Sequence, residues 1–152
     1  MKASHFILSV AFIFCSCTLN AQDSAKVAST FKTLLSLCKN VDFSDPKVQE
    51  IGTFYKAAPY IVYQGDDKAR KWKVPANYQE PKEKEQVNQV CYRINETVNQ
   101  DTAYVITGYK KQKESEGEWH VLMISYIKKG KHKNAIFAFL KIKDKFLLGD
   151  ID

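Results

Sequence analysis

The chain has 152 residues, of which 23 are Lys or Arg and 17 are Asp or Glu, giving a formal net charge of +6. This length indicates one domain, with a core large enough to fold without a metal or several disulfides. The excess of lysine lies mainly in predicted turns and does not collect on one helix face with interleaved aromatic residues. That distribution argues against a nucleic-acid-binding protein.

The first 21 residues have the pattern of a secretory signal peptide. Lys2 precedes an apolar run over residues 6–14, and Ala21 supplies a small residue at the predicted cleavage point. We therefore predict a leader of residues 1–21 and a single mature domain of residues 22–152, exported to the periplasm or the extracellular space. The apolar run is shorter than the roughly 20 residues of a membrane-spanning helix, so we expect no membrane span.

A rival interpretation makes Cys15 or Cys17 the lipid-modified residue of a lipoprotein, because both directly follow the apolar run. Phe14 is bulky where such signals have a small residue, so we favour cleavage after Ala21. Either route places the domain outside the cytoplasm. The mature chain of 131 residues loses Lys2 but no acidic residue, and its formal charge is +5.

Two cysteines, Cys38 and Cys91, remain after the leader. An oxidising compartment allows them to form one disulfide, and a loop of about 50 residues would then stabilise the fold by on the order of 4 kcal/mol. Both also lie on the apolar faces of predicted helices, where a free cysteine packs as a small hydrophobic residue. The sequence leaves these two alternatives open.

Apolar residues at helical spacing predict three helices in the first two thirds of the mature chain. The first covers residues 23–40, the second runs from Pro46 to Ala58, and the third opens at Pro81 with acidic residues in its first turn. Residues 60–63 are short, apolar and β-prone, which predicts an extended segment against the core. The apolar stripe of the first helix consists of Val27, Phe31, Leu34, Leu35 and Cys38; that of the third consists of Val87, Val90, Cys91, Ile94 and Val98.

From residue 101 onward, β-branched and aromatic runs alternate with turn signals. They predict four strands over residues 102–109, 119–127, 134–143 and 145–151, joined by hairpins into an antiparallel meander. In the second and third strands the apolar residues do not alternate with polar ones, which indicates that both sheet faces are covered. Since the helices can cover one face, the other is left for a partner or for a strong curl of the sheet itself, and we favour a homodimer through it.

Helices followed by a curled four-stranded sheet, in an exported chain of this length, resemble the nuclear transport factor 2-like, or cystatin-like, superfamily. The residues that carry the resemblance are Glu118-Trp119-His120-Val121 at the start of the second strand and the closing stretch 139–152. The resemblance implies an α+β fold in which N-terminal helices pack on a curved, cone-like antiparallel sheet, with a pocket between them. It also implies homodimeric packing and no obligatory cofactor. The superfamily contains enzymes, ligand binders and interaction modules.

The candidate site residues are mostly aromatic. Tyr55, Tyr60, Tyr63 and Trp72 cluster in sequence around the second helix and the connection after it, where they suit a flat or apolar small ligand. His120 shares its strand face with the apolar residues of the second strand and could act as a base if it points into the cone. No sequence motif for a metal, a cofactor or a catalytic nucleophile is present, and we interpret the pairs Asp66–Asp67 and Asp150–Asp152 as solvated charges.

Two functions follow from these observations. The first is an exported, non-enzymatic module that binds a small ligand or a protein partner, because no acid, base and nucleophile form a recognisable set. The alternative is a small cofactor-free isomerase, dehydratase or hydrolase, with His120 or Asp66 as base and Tyr63 as an orienting donor.

Overall fold

A computed structural model describes residues 4–39, 54–64, 74–99 and 101–152, the helix up to residue 20 as backbone only. Within these ranges the chain forms an α+β fold, as predicted: two α-helices pack against a four-stranded antiparallel sheet. The elements in chain order are α1 (Ser4–Leu37), a short 3₁₀ helix (Ala58–Tyr60), α2 (Pro81–Thr97), β1 (Tyr104–Glu114), β2 (Gly117–Lys128), β3 (Lys131–Ile142) and β4 (Lys145–Ile151). Cone-like curvature of the sheet stays a prediction.

Helix α1 buries the face that its sequence predicts. Its fully or almost fully buried residues are those of the predicted stripe, and the Phe31 ring lies 5.4 Å from Tyr104 and 4.6 Å from Phe137, centroid to centroid. The helix begins at Ser4, ahead of the predicted start at residue 23, so it includes most of the segment interpreted as a leader. The signal peptide stays a prediction. Among the described residues, no helix combines the length and the apolar character needed to cross a membrane.

The predicted second helix falls largely on residues 40–53, which lie outside the described ranges. Its described end is not α-helical: residues 54–57 form a turn, and the 3₁₀ helix that follows includes Pro59. After it the chain is extended, as predicted. Ile61 forms a parallel bridge to Leu148 of β4, and Val62 an antiparallel bridge to Pro75.

Helix α2 opens at Pro81 as predicted and buries Val87, Cys91 and Ile94. Cys91 forms a disulfide with Cys38, with the two Cα atoms 4.8 Å apart, so the bonded alternative is the correct one. The bond ties the end of α1 to the middle of α2. Glu83, in the first turn of α2, is buried and accepts the backbone N–H of Asn77 at 2.6 Å, so it anchors the preceding loop as well as facing the helix N-terminus.

The sheet is the predicted meander, with strand order β1-β2-β3-β4. Lys129 and Gly130, both with positive φ, form the two-residue turn between β2 and β3, the conformation that a tight hairpin requires. Alternation along β2 buries His120, Leu122, Ile124 and Tyr126 on the face that meets the helices, which we call the inner face. On the opposite, outer face, most of the β2 residues are half-buried and Ile136 of β3 is 38% exposed, whereas Leu140 and Leu147 are buried. A second copy on this face stays a prediction.

Candidate functional site

The predicted site residues that the structure describes lie in different surroundings. Tyr55 is 51% exposed, whereas Tyr63 is buried and donates its backbone N–H to Val74. Tyr60 lines a cleft of about 330 Å³ between α1, the 3₁₀ helix and the β3–β4 turn. Trp72, like Asp66, lies outside the described residues. A ligand pocket formed jointly by these aromatic residues and His120 therefore stays a prediction.

His120 belongs instead to a compact group on the inner face, near the turn that joins β1 and β2. We call this group the inner-face polar cluster, and define it as Asp23, Tyr109, Lys111, Glu118, His120 and Lys141. Helix α1 contributes the aspartate, and three adjacent strands contribute the rest. Pairing in the β1–β2 register places Lys111 opposite His120, and the two-residue strand repeat places Glu118 on the same face as His120.

A chain of three side chains runs through the centre of the cluster. The Tyr109 hydroxyl lies 2.5 Å from Nδ1 of His120, and Nε2 of His120 lies 2.9 Å from Oε1 of Glu118. The His120 side chain is fully buried, and its ring stands edge-on to Phe146, with the centroids 4.7 Å apart. Both ring nitrogens therefore have a partner, and both partners are side chains.

Two lysines hold the carboxylates. The Lys111 ammonium lies 2.8 Å from Glu118 Oε2, and the Lys141 ammonium lies 3.1 Å from Asp23 Oδ2 and 3.5 Å from Glu118 Oε1. Lys141 thereby joins α1 to β2. The two lysines balance the charges of the two carboxylates, so the net charge of the cluster is zero when His120 is neutral.

The surroundings of Tyr109, His120 and Glu118 determine which of these side chains carry a proton. The hydrogen bond from Lys111 is the largest influence on Glu118 and helps to lower its pKa to about 2, so this carboxylate is charged. Burial lowers the pKa of His120, against the opposing influence of Glu118, and favours the neutral ring. Burial, with Asp23 and Glu118 nearby, raises the pKa of Tyr109 to about 12. Tyr109 thus donates to Nδ1 of His120, and Nε2–H donates to Glu118.

The same influences act on Lys141. Burial by itself would lower the pKa of its ammonium, but the hydrogen bond and charge of Asp23, together with Glu118, raise it. The lysine is therefore held in its charged form between two carboxylates. Its ammonium also lies 5.5 Å from the centroid of the Phe146 ring, within the range of a cation–π contact.

Asp23, Glu118 and His120 place three ligand-type atoms within 4.8 Å of one another, a spacing that suits a divalent cation. However, the ammonium groups of Lys111 and Lys141 already contact both carboxylates. A divalent ion would have to displace them and would leave two lysines uncompensated. The geometry describes an ion-pair network better than a metal centre.

A second polar region lies on the outer face. Here a groove of about 450 Å³ crosses all four strands. Small residues, Ala138 and Gly149, form part of its lining, and the half-buried Trp119 forms another part. The indole lies directly on the backbone of Gly149. A Cβ atom at this position would come within 2.6 Å of the Trp119 ring, so only glycine leaves room for the indole. The polar residues that complete the lining are Gln64, Gln112, Glu114, Glu116 and Asp150.

The edge of this groove is held by amide side chains. Gln64 donates its side-chain N–H to the carbonyl of Gly149, and Gln86 of α2 donates to the carbonyl of Val62 at 2.9 Å. Val62 packs with Leu140, Leu147 and Trp119 in a small apolar cluster on the outer face. The extended segment after the 3₁₀ helix therefore supports one side of the Trp119 groove.

Sequence reasoning missed most of the inner-face polar cluster. Sequence reasoning did not identify the carboxylate beside His120, which is Glu118, two residues earlier on the same strand face. The i, i+2 pattern Glu118–His120 was the available signal. Nothing in the local sequence indicates that Asp23 and Lys141, 118 positions apart, meet. The groove around Trp119 was also missed, although Glu114, Glu116 and Trp119 are close in sequence.

Compared with models of protein families, with curated proteins and with solved structures, the chain matches none of them.

Proposed function

We propose that this chain is an exported, non-enzymatic module that binds a ligand or a protein partner outside the cytoplasm. One observation carries the proposal: in the inner-face polar cluster, Tyr109, His120 and Glu118 are already hydrogen-bonded to one another, and the pKa of each is moved away from a catalytic role. A general base works best with a pKa near the working pH. Burial makes His120 a weaker base, and a pKa of about 12 makes Tyr109 a poorer nucleophile.

The cluster instead has the properties of a structural clamp. Its members come from α1, β1, β2 and β3, and its contacts hold the first turns of the mature helix against the sheet. A polar network whose buried histidine is fully hydrogen-bonded fixes one arrangement of the elements that it joins. Binding would then use other surfaces, such as the outer face of the sheet.

The nuclear transport factor 2-like superfamily remains part of this proposal. Support comes from the order of elements, with helices first and a four-stranded meander after them. Export is supported by the signal-like pattern of residues 1–21 and by the disulfide, which is typical of proteins in oxidising compartments.

The enzyme alternative keeps one observation in its favour. Tyr109, His120 and Glu118 form a continuous hydrogen-bonded chain with a Tyr109–His120 distance of 2.5 Å, which resembles a nucleophile, base and orienting acid. Tyr63, the orienting donor that the sequence suggests for this alternative, is buried and donates its backbone N–H to Val74.

The experiment that tests the proposal compares turnover with binding. Wild type, Tyr109→Phe and His120→Gln are assayed against ester, phosphoester, glycoside and enolisable ketone substrates, with Tyr92→Phe, an exposed tyrosine on α2, as the matched control. We expect no turnover above buffer in any variant. We also expect a compound screen to find ligands that raise the melting temperature of both wild type and His120→Gln. Turnover that is lost in His120→Gln but kept in Tyr92→Phe would overturn the proposal.

A further inference from the structure

The Trp119 groove concentrates negative charge on a basic protein. Three carboxylates, from Glu114, Glu116 and Asp150, line it, and among the described residues of its lining there is no lysine or arginine. The chain as a whole carries a formal charge of +6. At physiological ionic strength the Debye length is about 8 Å, so a ligand in the groove responds most strongly to the carboxylates that line it.

The carboxylates come from three separate elements and line the same groove as the Trp119 side chain. Glu114 ends β1, Glu116 lies in the β1–β2 turn, and Asp150 lies on β4. One oxygen of Asp150 accepts the Ile151 N–H at 2.8 Å, which fixes the orientation of this carboxylate. Lys110 does not line the groove, although it lies on the same sheet face, two residues before Gln112 on β1 and about 7 Å from it along the strand.

The indole of Trp119 offers a second favourable contact for a positively charged ligand, in addition to the carboxylates. It is half-buried against Gly149, so part of the ring is covered by backbone and part lines the groove. Trp is the side chain that attracts a cation over its ring face most strongly. An aromatic ring beside carboxylates suits an alkylammonium group better than it suits an anion or a neutral apolar molecule.

We infer that the Trp119 groove binds a small organic polycation, an aliphatic amine with two or more ammonium groups. The volume of about 450 Å³ lies within the range of small-molecule sites. Three carboxylates match more than one positive charge on the ligand, and the small residues Ala138 and Gly149 leave room for its alkyl chain. This inference rests on the proposed function, for which it names a class of ligand and a place.

Binding of spermidine to the purified chain, followed by isothermal titration calorimetry, tests the inference. The key variant is Glu114→Gln/Glu116→Gln, and its matched control is Glu85→Gln/Asp101→Asn, which removes the same charge from exposed positions that do not line the groove. We expect saturable binding to wild type, a loss of about threefold to tenfold in the key variant, and a change of less than about twofold in the control.

Trp119→Phe should weaken spermidine binding by about twofold to fivefold, because the cation–π contact is smaller with Phe. 1,4-Butanediol, which has a similar alkyl chain without charge, should not bind. Equal losses in the key variant and the control, or binding of butanediol as tight as that of spermidine, would overturn the inference. A trilysine peptide that binds when spermidine does not would also overturn it, because the occupant would then be a protein segment.

Failure of this inference is distinguishable from failure of the proposed function. If spermidine does not bind while other compounds still raise the melting temperature and no turnover is found, the chain remains a binding module with a different ligand. Substrate turnover that depends on His120 would remove the proposed function itself.

Discussion

Both faces of the sheet carry carboxylates, but those on the inner face form ion pairs with lysines, whereas those on the outer face line a groove. On the inner face, Glu118 is held by Lys111 and His120, and Asp23 by Lys141. On the outer face, three carboxylates line the Trp119 groove without a cation among its described lining residues. Charges that compensate one another stabilise the fold, whereas charges left facing a cavity are available to a ligand. This difference in pairing is the reason that we interpret the inner-face polar cluster as a structural clamp and the Trp119 groove as a binding site.

The largest expected effect on stability comes from removing the disulfide that joins α1 to α2. Replacing both Cys38 and Cys91 with alanine removes a disulfide between residues separated by 53 positions, and we expect a loss of about 4 kcal/mol in the free energy of unfolding. Urea denaturation followed by circular dichroism measures it. Spermidine affinity of the folded fraction should change little, since neither cysteine lines the groove. A loss below about 1 kcal/mol would mean that packing alone holds α1 and α2 together.

Gly149→Ala acts on the outer face. The new methyl group would lie 2.6 Å from the Trp119 ring and 3.1 Å from Val62, so the indole must move. Overpacking of this kind costs about 1–3 kcal/mol, and the displaced ring should also weaken spermidine binding, which the same titration measures. Gly130→Ala is the contrasting variant: nothing lies within 4 Å of the added methyl group, and its cost comes from the positive φ of 70° alone. Unchanged binding in Gly149→Ala would separate Trp119 from the site.

Tyr109→Phe tests whether the inner-face polar cluster acts as a clamp, that is, whether it contributes to stability and not to ligand binding. The change removes the donor to Nδ1 of the buried His120 and should cost about 1 kcal/mol or somewhat more in unfolding free energy. Spermidine binding should stay within twofold of wild type. The exposed Tyr92→Phe variant should match wild type in both measurements. If Tyr109→Phe weakened spermidine binding as much as Glu114→Gln/Glu116→Gln does, the two faces would not be independent.

The smallest expected effect is the response to acid. The pKa of Glu118 is lowered from 4.5 to about 2 in the folded state, so its stabilising contribution is fully present above about pH 4.5 and is lost as the pH falls toward about 2. The side chain is 33% exposed, and solvent screening leaves on the order of 1 kcal/mol of this contribution. The lowered pKa of His120 acts in the same direction, beginning as the pH falls below about 6.5.

Melting temperatures of wild type, Glu118→Gln and His120→Gln between pH 7.5 and 3 measure both contributions. Glu118→Gln should flatten the decline below pH 4.5, and His120→Gln should flatten the part that begins near pH 6.5. Parallel curves for all three proteins would show that other carboxyl groups control the acid response.

The sequence by itself determined the local elements and their order. Val27, Phe31 and Leu34 recur at helical spacing and are buried on one face of α1, and Pro81 opens α2, because helical periodicity and capping are properties of neighbouring residues. Likewise Lys129-Gly130 adopts the positive φ values of a tight hairpin, since a turn is a local choice. The four-stranded meander follows from such turns in succession.

Only the tertiary structure decided which distant side chains meet. The bond between Cys38 and Cys91 was one of two open alternatives, because the distance between two helix faces depends on how the helices pack. The meeting of Asp23 with Lys141 depends on the angle of α1 across the sheet. The groove needs Trp119 to lie on Gly149, two strands away in the register. Sequence patterns predict the conformation of residues that are close along the chain, whereas a site consists of residues that long-range packing brings together.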